Sequence, residues 1–188
     1  MSIFSIHSVD SAPEASRPLL EGASRKFGFL PNLLGALGEA PAALEAYLAL
    51  GDILARSSFT AAEREVVIIA ASAKNSCAYC VAAHSTAAAM AKVPEEVIAA
   101  LRDGRPIGDA RLEALRRFTE ILVEKRGWAS EEEVQAFIDA GFSRGQALEV
   151  VLGVAFKTLS NYANHIVGTP LDLAFAPRAW APAAAAAA

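Results

Sequence analysis

Glu65, Cys77, Cys80 and His84 fall within one short stretch of the chain and are all side chains that can move protons or electrons. Two residues, Ala78 and Tyr79, separate the cysteines, and His84 follows Cys80 by four positions. Residues three and four apart share a helix face, so this spacing stacks Cys77, Cys80 and His84. Thiols so placed can close into a disulfide, and a histidine one turn on can exchange a proton with the nearer thiol. Asn75 or Ser76 can cap a helix that starts here, which puts Cys77 in a first turn whose free N–H groups favour thiolate. Glu65 stands at the edge of an apolar run and is suited to proton transfer. Each residue also has a plain reading. A cysteine can be a small buried hydrophobe, a helix histidine can simply be hydrogen-bonded, and Glu65 can answer a helix dipole. The shared spacing favours redox chemistry over that set of coincidences.

The elements that must hold these residues read as helices almost throughout. The first fifteen residues form an irregular arm, and a short helix covers Arg17 to Lys26 and stops at Gly28. Pro31 suits the first turn of a second short helix, and Pro41 starts a longer one reaching Leu54. Thr60 with Glu63 three residues later forms a capping box for a helix over Ala61 to Lys74. That helix is apolar nearly all round from Val66 to Ala70, which places it in the core. The next runs from Cys77 to about Lys92, followed by Pro94 to Leu101, Asp109 to Lys125, Ser130 to Asp139 and Arg144 to Val167. The last carries the stripe Leu148, Val151, Leu152, Ala155, Leu159 and Tyr162, read as its core face. No strand alternation is sustained. Residues 16–176 therefore form one all-α domain, and residues 177–188 an alanine-rich tail expected to be poorly ordered.

Composition narrows the function. The 188 residues carry a net charge of −4 and no basic stripe, which argues against nucleic-acid binding. No apolar run approaches the ~20 residues of a membrane span, and the acidic N-terminal residues do not resemble a secretion signal, so a cytoplasmic location is expected. A 54% hydrophobic content exceeds what one domain needs and predicts a homo-oligomer. Two cysteines this close, in a reducing compartment, are more consistent with chemistry than with a structural bridge.

Glu65, eleven residues, Cys77-x-x-Cys80, three residues and His84 together resemble the motif of the AhpD-like alkylhydroperoxidases of the carboxymuconolactone decarboxylase superfamily. Phe29-Leu-Pro-Asn-Leu33, Asn161-Tyr-Ala-Asn-His165 and Thr169-Pro-Leu-Asp172 are similar to words of its peroxidase-related subgroup. The resemblance spans about Phe27 to Phe175. It implies an AhpD-like helical bundle that assembles as a dimer, trimer or hexamer. It also implies a thiol peroxidase acting on organic hydroperoxides or hydrogen peroxide. One cysteine attacks the peroxide, the other resolves the sulfenic acid to a disulfide, and an external dithiol protein reduces it, with no metal or flavin. Cys80 is assigned the attack because His84 lies one turn away, Cys77 resolves, and Glu65 accepts the proton through His84. The position of Cys77 at the helix start supports the reverse order. One departure is Tyr79, where well-studied members have histidine; a tyrosine can donate a hydrogen bond but is a poor base near neutrality, so it is at most a relay.

Three other readings fit the sequence less well. A lactone decarboxylase of the same superfamily works without a vicinal cysteine pair. A zinc site built from Cys77, Cys80 and His84 would need His165 or Glu65 as fourth ligand. A redox-sensing interaction protein would use the pair only as a switch. Tyr47, Phe27, Phe29, Leu30 and Trp128 are candidates for an apolar pocket, and His165 is a candidate outer partner of the site or a core residue.

Overall fold

The computed structural model describes residues 3–182 and contains only helices and connecting segments among them. In chain order the helices are α1 (Arg17–Phe27), α2 (Asn32–Leu37), α3 (Pro41–Ala55), α4 (Ala61–Lys74), α5 (Ala78–Met90), α6 (Glu95–Asp103), α7 (Ala110–Glu124), α8 (Glu131–Asp139) and α9 (Arg144–Val167). Single 3-10 turns over Glu14–Ser16 and Leu173–Arg178 flank them.

α4 is the central helix and packs mainly on α7, α5 and α9. Its capping box forms as the sequence indicates, with Thr60 Oγ1 accepting from the Glu63 N–H and Glu63 accepting from the Thr60 N–H. The run Val66 to Ala71 is buried on every side. Burying one such side chain stabilises by about 1.5–3 kcal/mol, which outweighs the few tenths that a β-branched residue costs a helix. Packing, not propensity, therefore makes this segment helical.

α4 turns directly into α5. Asn75 caps its C-terminus, Ser76 adopts a left-handed φ of 56°, and the Cys77 N–H closes onto the Ser72 carbonyl at 2.9 Å. α5 consequently starts one residue later than expected: Cys77 is its N-cap and Cys80 its third residue. The tight reversal lays α5 back along α4, and this brings His84 beside Glu65.

α9 has the boundaries read from sequence but the opposite orientation. Leu148, Val151, Ala155 and Tyr162 of the expected core stripe are exposed, joined by Ile166, while Leu152 and Leu159 are half-buried. The buried face carries Val150, Gly153, Phe156, Lys157, Ser160, Asn161, Asn164 and Val167. Most of those polar groups find partners: Lys157 at His84, Ser160 at carbonyls of its own helix, Asn164 at the two sulfurs and Asn161 in the α4–α5 turn. Asn161, for example, accepts from Asn75 Nδ2 at 3.0 Å.

The ends of the described chain are anchored. In the N-terminal arm, Ala12 is buried and the His7 N–H donates to the Gly35 carbonyl. Residues Arg178 to Trp180, which the sequence suggested were part of a loose tail, are held by Arg102, whose guanidinium donates to the carbonyls of Arg178 and Ala179. Trp180 Nε1 donates back to the Arg102 carbonyl. Residues 183–188 of that tail lie outside the described residues.

Candidate active site

Both cysteines are free thiols, buried at the positive end of α5. Their surroundings differ. Cys80 lines a cavity of about 690 Å³, and Cys77 does not. Asn164 of α9 directs its Nδ2 at both sulfurs, 3.2 Å from Cys80 Sγ and 3.7 Å from Cys77 Sγ. The Cys80 thiol also lies 3.7 Å from Ser160 Oγ. The hydrogen bond between the two sulfurs holds Cys80 well below the usual thiol range, and the charge of Lys157 adds to the effect against the cost of burial. Cys77 is pushed up by the same contact and by burial. The pair therefore shares one proton, with thiolate character on Cys80 and the proton on Cys77.

His84 and Glu65 meet, with Nδ1 and Oε2 3.2 Å apart. A carboxylate only accepts, so Nδ1 carries the proton and Nε2 presents its lone pair. That lone pair faces Lys157 Nζ at 3.1 Å. Among the described residues no hydrogen bond joins His84 to Cys80, although the sequence spacing suggested direct contact. The hydrogen-bonded chain runs Glu65, His84, Lys157, and the lysine belongs to α9, seventy-three positions from His84.

Two other candidates make no hydrogen bond to this chain of groups, although Tyr79 lines the same cavity. The Tyr79 hydroxyl donates to Asp172 and accepts from the Leu33 N–H, and burial raises it far above its ordinary value. It is an anchor for the segment entering α2. His165 is exposed on the outer face of α9, beside Tyr162 at 6.4 Å, neither in the core nor near the thiols. Among the described residues no three His, Cys, Asp or Glu side chains group to hold a metal.

The cavity walls are apolar. Phe27, Phe29 and Tyr47 line it as expected, and Phe156, Phe175 and Met90 add to them. Trp128 is 85% exposed elsewhere, and Leu30 packs in the core cluster beneath the wall. Sequence reading missed Lys157, Ser160 and Asn164. Their signal was legible: Lys157, Ser160, Asn161 and Asn164 recur at helical spacing in an otherwise apolar helix.

A helical bundle with a vicinal thiol pair opening on a largely apolar cavity defines a class, and comparison with known proteins agrees on its fold. Residues 41–120 match the model of the carboxymuconolactone decarboxylase family. The structure is similar to an alkylhydroperoxidase AhpD core, peroxidase-related protein from Ralstonia eutropha JMP134, with a TM-score of 0.80 and 26% identity over 93% of this chain and 94% of that one. A peroxidase-related protein from Silicibacter sp. TM1040 aligns with a TM-score of 0.77 and 20% identity, covering 92% of both chains. The debrominase Bmp8, in complex with 2,3,4-tribromopyrrole, aligns with a TM-score of 0.79 and 18% identity, covering 95% of this chain and 96% of its own. A search of curated proteins finds no match. The fold is that of the AhpD-like proteins, and residues 41–120 are similar to the carboxymuconolactone decarboxylase family. No helix among the described residues is long and apolar enough to cross a membrane.

Proposed function

We propose that the protein is a thiol-dependent peroxidase that reduces organic hydroperoxides or hydrogen peroxide through Cys80 and Cys77. The observation that carries this reading is the asymmetry of the pair: Cys80, the cysteine with thiolate character, is the one on the cavity. A thiolate there can attack a peroxide held by the aromatic walls, and the neighbouring protonated Cys77 can resolve the sulfenic acid. Glu65 and His84 form the hydrogen-bonded chain that reaches Lys157 at the edge of this cavity. An external dithiol protein closes the cycle, and neither metal nor flavin enters the scheme.

We further propose that the protein is a cytoplasmic homo-oligomer. The exposed Leu148, Val151, Tyr162 and Ile166 of α9 form an apolar stripe larger than scattered surface residues explain, and a second copy is its natural cover.

The test is a thiol titration before and after one equivalent of cumene hydroperoxide, followed by turnover with a small dithiol. Loss of both thiols to an intramolecular disulfide, with sustained turnover, is the expected result. Two thiols that still titrate after excess peroxide would remove the peroxidase reading. A single reaction without turnover would favour a redox sensor. The aromatic cavity beside Cys80 also suits a halogenated arene, so bromide release from 2,3,4-tribromopyrrole is the parallel assay for a dehalogenating alternative.

A further inference from the structure

Lys157 is completely buried on the inner face of α9. Lysine is almost never found there without a partner, because burial disfavours the ammonium form. Among the described residues no carboxylate lies within ion-pair distance of it. Its nitrogen instead contacts the His84 Nε2 lone pair at 3.1 Å and sits 4.8 Å from the centre of the Phe156 ring. A buried cation so placed needs an anion nearby. The groups that can supply one are the Cys80 thiolate and, through His84, the Glu65 carboxylate. Lys157, Cys80, His84 and Glu65 all line the same cavity.

We propose that Lys157 is a catalytic residue of this site, taking the Cys80 thiol proton and delivering it to the leaving oxygen of the hydroperoxide. This rests on the peroxidase reading above. In the resting site that proton is already on Lys157, so thiolate and ammonium face the same cavity. The Cys80 sulfur attacks the terminal oxygen of R–O–O–H. An S–O bond forms as the O–O bond breaks, sulfur is oxidised to the sulfenic acid, and RO⁻ leaves with the bond's electron pair. Lys157 gives RO⁻ its proton, so the alcohol departs and the amine is neutral again. Cys77 then attacks the Cys80 sulfur, its proton leaving with the hydroxyl as water. Reduction of that disulfide by the external dithiol returns both thiols, and the Cys80 proton passes to the neutral Lys157, which restores the starting pair.

The arrangement gives His84 and Glu65 a different task from the one their spacing suggests. His84 Nε2 is occupied by the lysine, so it orients the Lys157 nitrogen, and Glu65 fixes the histidine tautomer. His84 and Glu65 are thus positioning residues. An alkoxide is a poor leaving group at neutral pH, so a proton donor at its oxygen is where general acid catalysis contributes most. The other ionisable groups around Lys157 are Tyr47 from α3, Glu65 from α4, and Cys77, Cys80 and His84 from α5; Lys26, Asp52 and Arg64 also line the cavity.

The experiment compares wild type with Lys157→Met, which keeps most of the side-chain bulk and removes the amine; Lys157→Gln replaces it should the methionine variant fail to fold. Thiolate absorbance against pH reads the coupling to Cys80, and its midpoint should rise in the variant. Single-turnover rates are then measured at a pH where both proteins hold the thiolate, with cumene hydroperoxide and with peroxyacetic acid. Acetate leaves without a proton, whereas the cumyl alkoxide requires one. The variant should lose about a hundredfold or more with cumene hydroperoxide and less than about tenfold with peroxyacetic acid. Equal losses with both would overturn the donor role, and unchanged rates and midpoint would overturn any role for Lys157. A wild-type protein inert toward both peroxides would overturn the peroxidase reading and the proton delivery together, which separates that failure from the failure of Lys157 alone.

Discussion

Gly153 is where α9 crosses α4, and adding one methyl group there tests how closely the site is held. A Cβ on Gly153 would lie 2.5 Å from Val67 Cγ1, and 3.7 Å and 3.9 Å from Val67 Cβ and Leu54 Cδ1. Carbon contacts are comfortable at about 3.5–4.0 Å, so roughly 1 Å must be found. Val67 has no exposed surface, and its β-branched side chain holds one preferred helix rotamer, so it cannot swing aside. Overpacking of this kind costs about 1–3 kcal/mol, while alanine regains roughly 1 kcal/mol of helix propensity. Gly153→Ala should therefore lose up to about 2 kcal/mol in urea denaturation. Val67→Ala alone should lose about 2 kcal/mol through its cavity. In the double variant the new methyl fills the space that Cγ1 vacates, so the combined loss should fall short of the sum by about 1–2 kcal/mol. Losses that add within roughly 0.5 kcal/mol would refute the close approach. Lys157 lies one turn further along α9, so the single variant should also react more slowly with peroxide, and the double variant should recover.

Glu63 offers a pH test. Burial works to raise its carboxyl, but the Thr60 N–H and the Arg111 guanidinium prevail and hold it below the usual carboxylate range. A depressed carboxyl stabilises fully above its unfolded pKa near ~4.3 and loses that contribution as pH falls through the folded value. Glu63→Gln should cost about 1–2 kcal/mol at pH 7 and less at pH 3, read from urea midpoints; an equal cost at both would contradict the assignment. Ile166→Asp with Val151→Asp should convert the oligomer to a monomer in light scattering without changing single-turnover chemistry, whereas an unchanged mass would place the interface elsewhere. Cys77→Ser should still react once with peroxide and stall as a sulfenic acid trapped by dimedone, and Cys80→Ser should react far more slowly. The opposite pattern would reverse the two thiols.

Much of this was legible in the sequence. The capping box at Thr60 and Glu63, the apolar run from Val66 and the Arg144 to Val167 span carried local signals strong enough to survive folding. The Glu65–His84 meeting was implicit in a tight turn at Asn75-Ser76. What failed was the facing of α9, because an apolar stripe was taken to seek its own core. The same assumption drew His165 toward the site and hid Lys157, since a lone lysine in an apolar helix ordinarily reaches for water. Phe175 was also unexpected as a wall, because its position depends on the contact of Asp172 with Asn32, 140 residues away.

That long-range contact has a consequence for the nascent chain. Residues 77–84 are synthesised more than sixty residues before α9 begins to supply Lys157 and Asn164, and longer before Asp172 and Phe175 arrive. Until then Cys77 and Cys80 have each other but lack the cation and amide of α9. On the proposed reading, full reactivity waits for the C-terminal third, so a ribosome-bound chain arrested before α9 should react with peroxide more slowly than the finished protein.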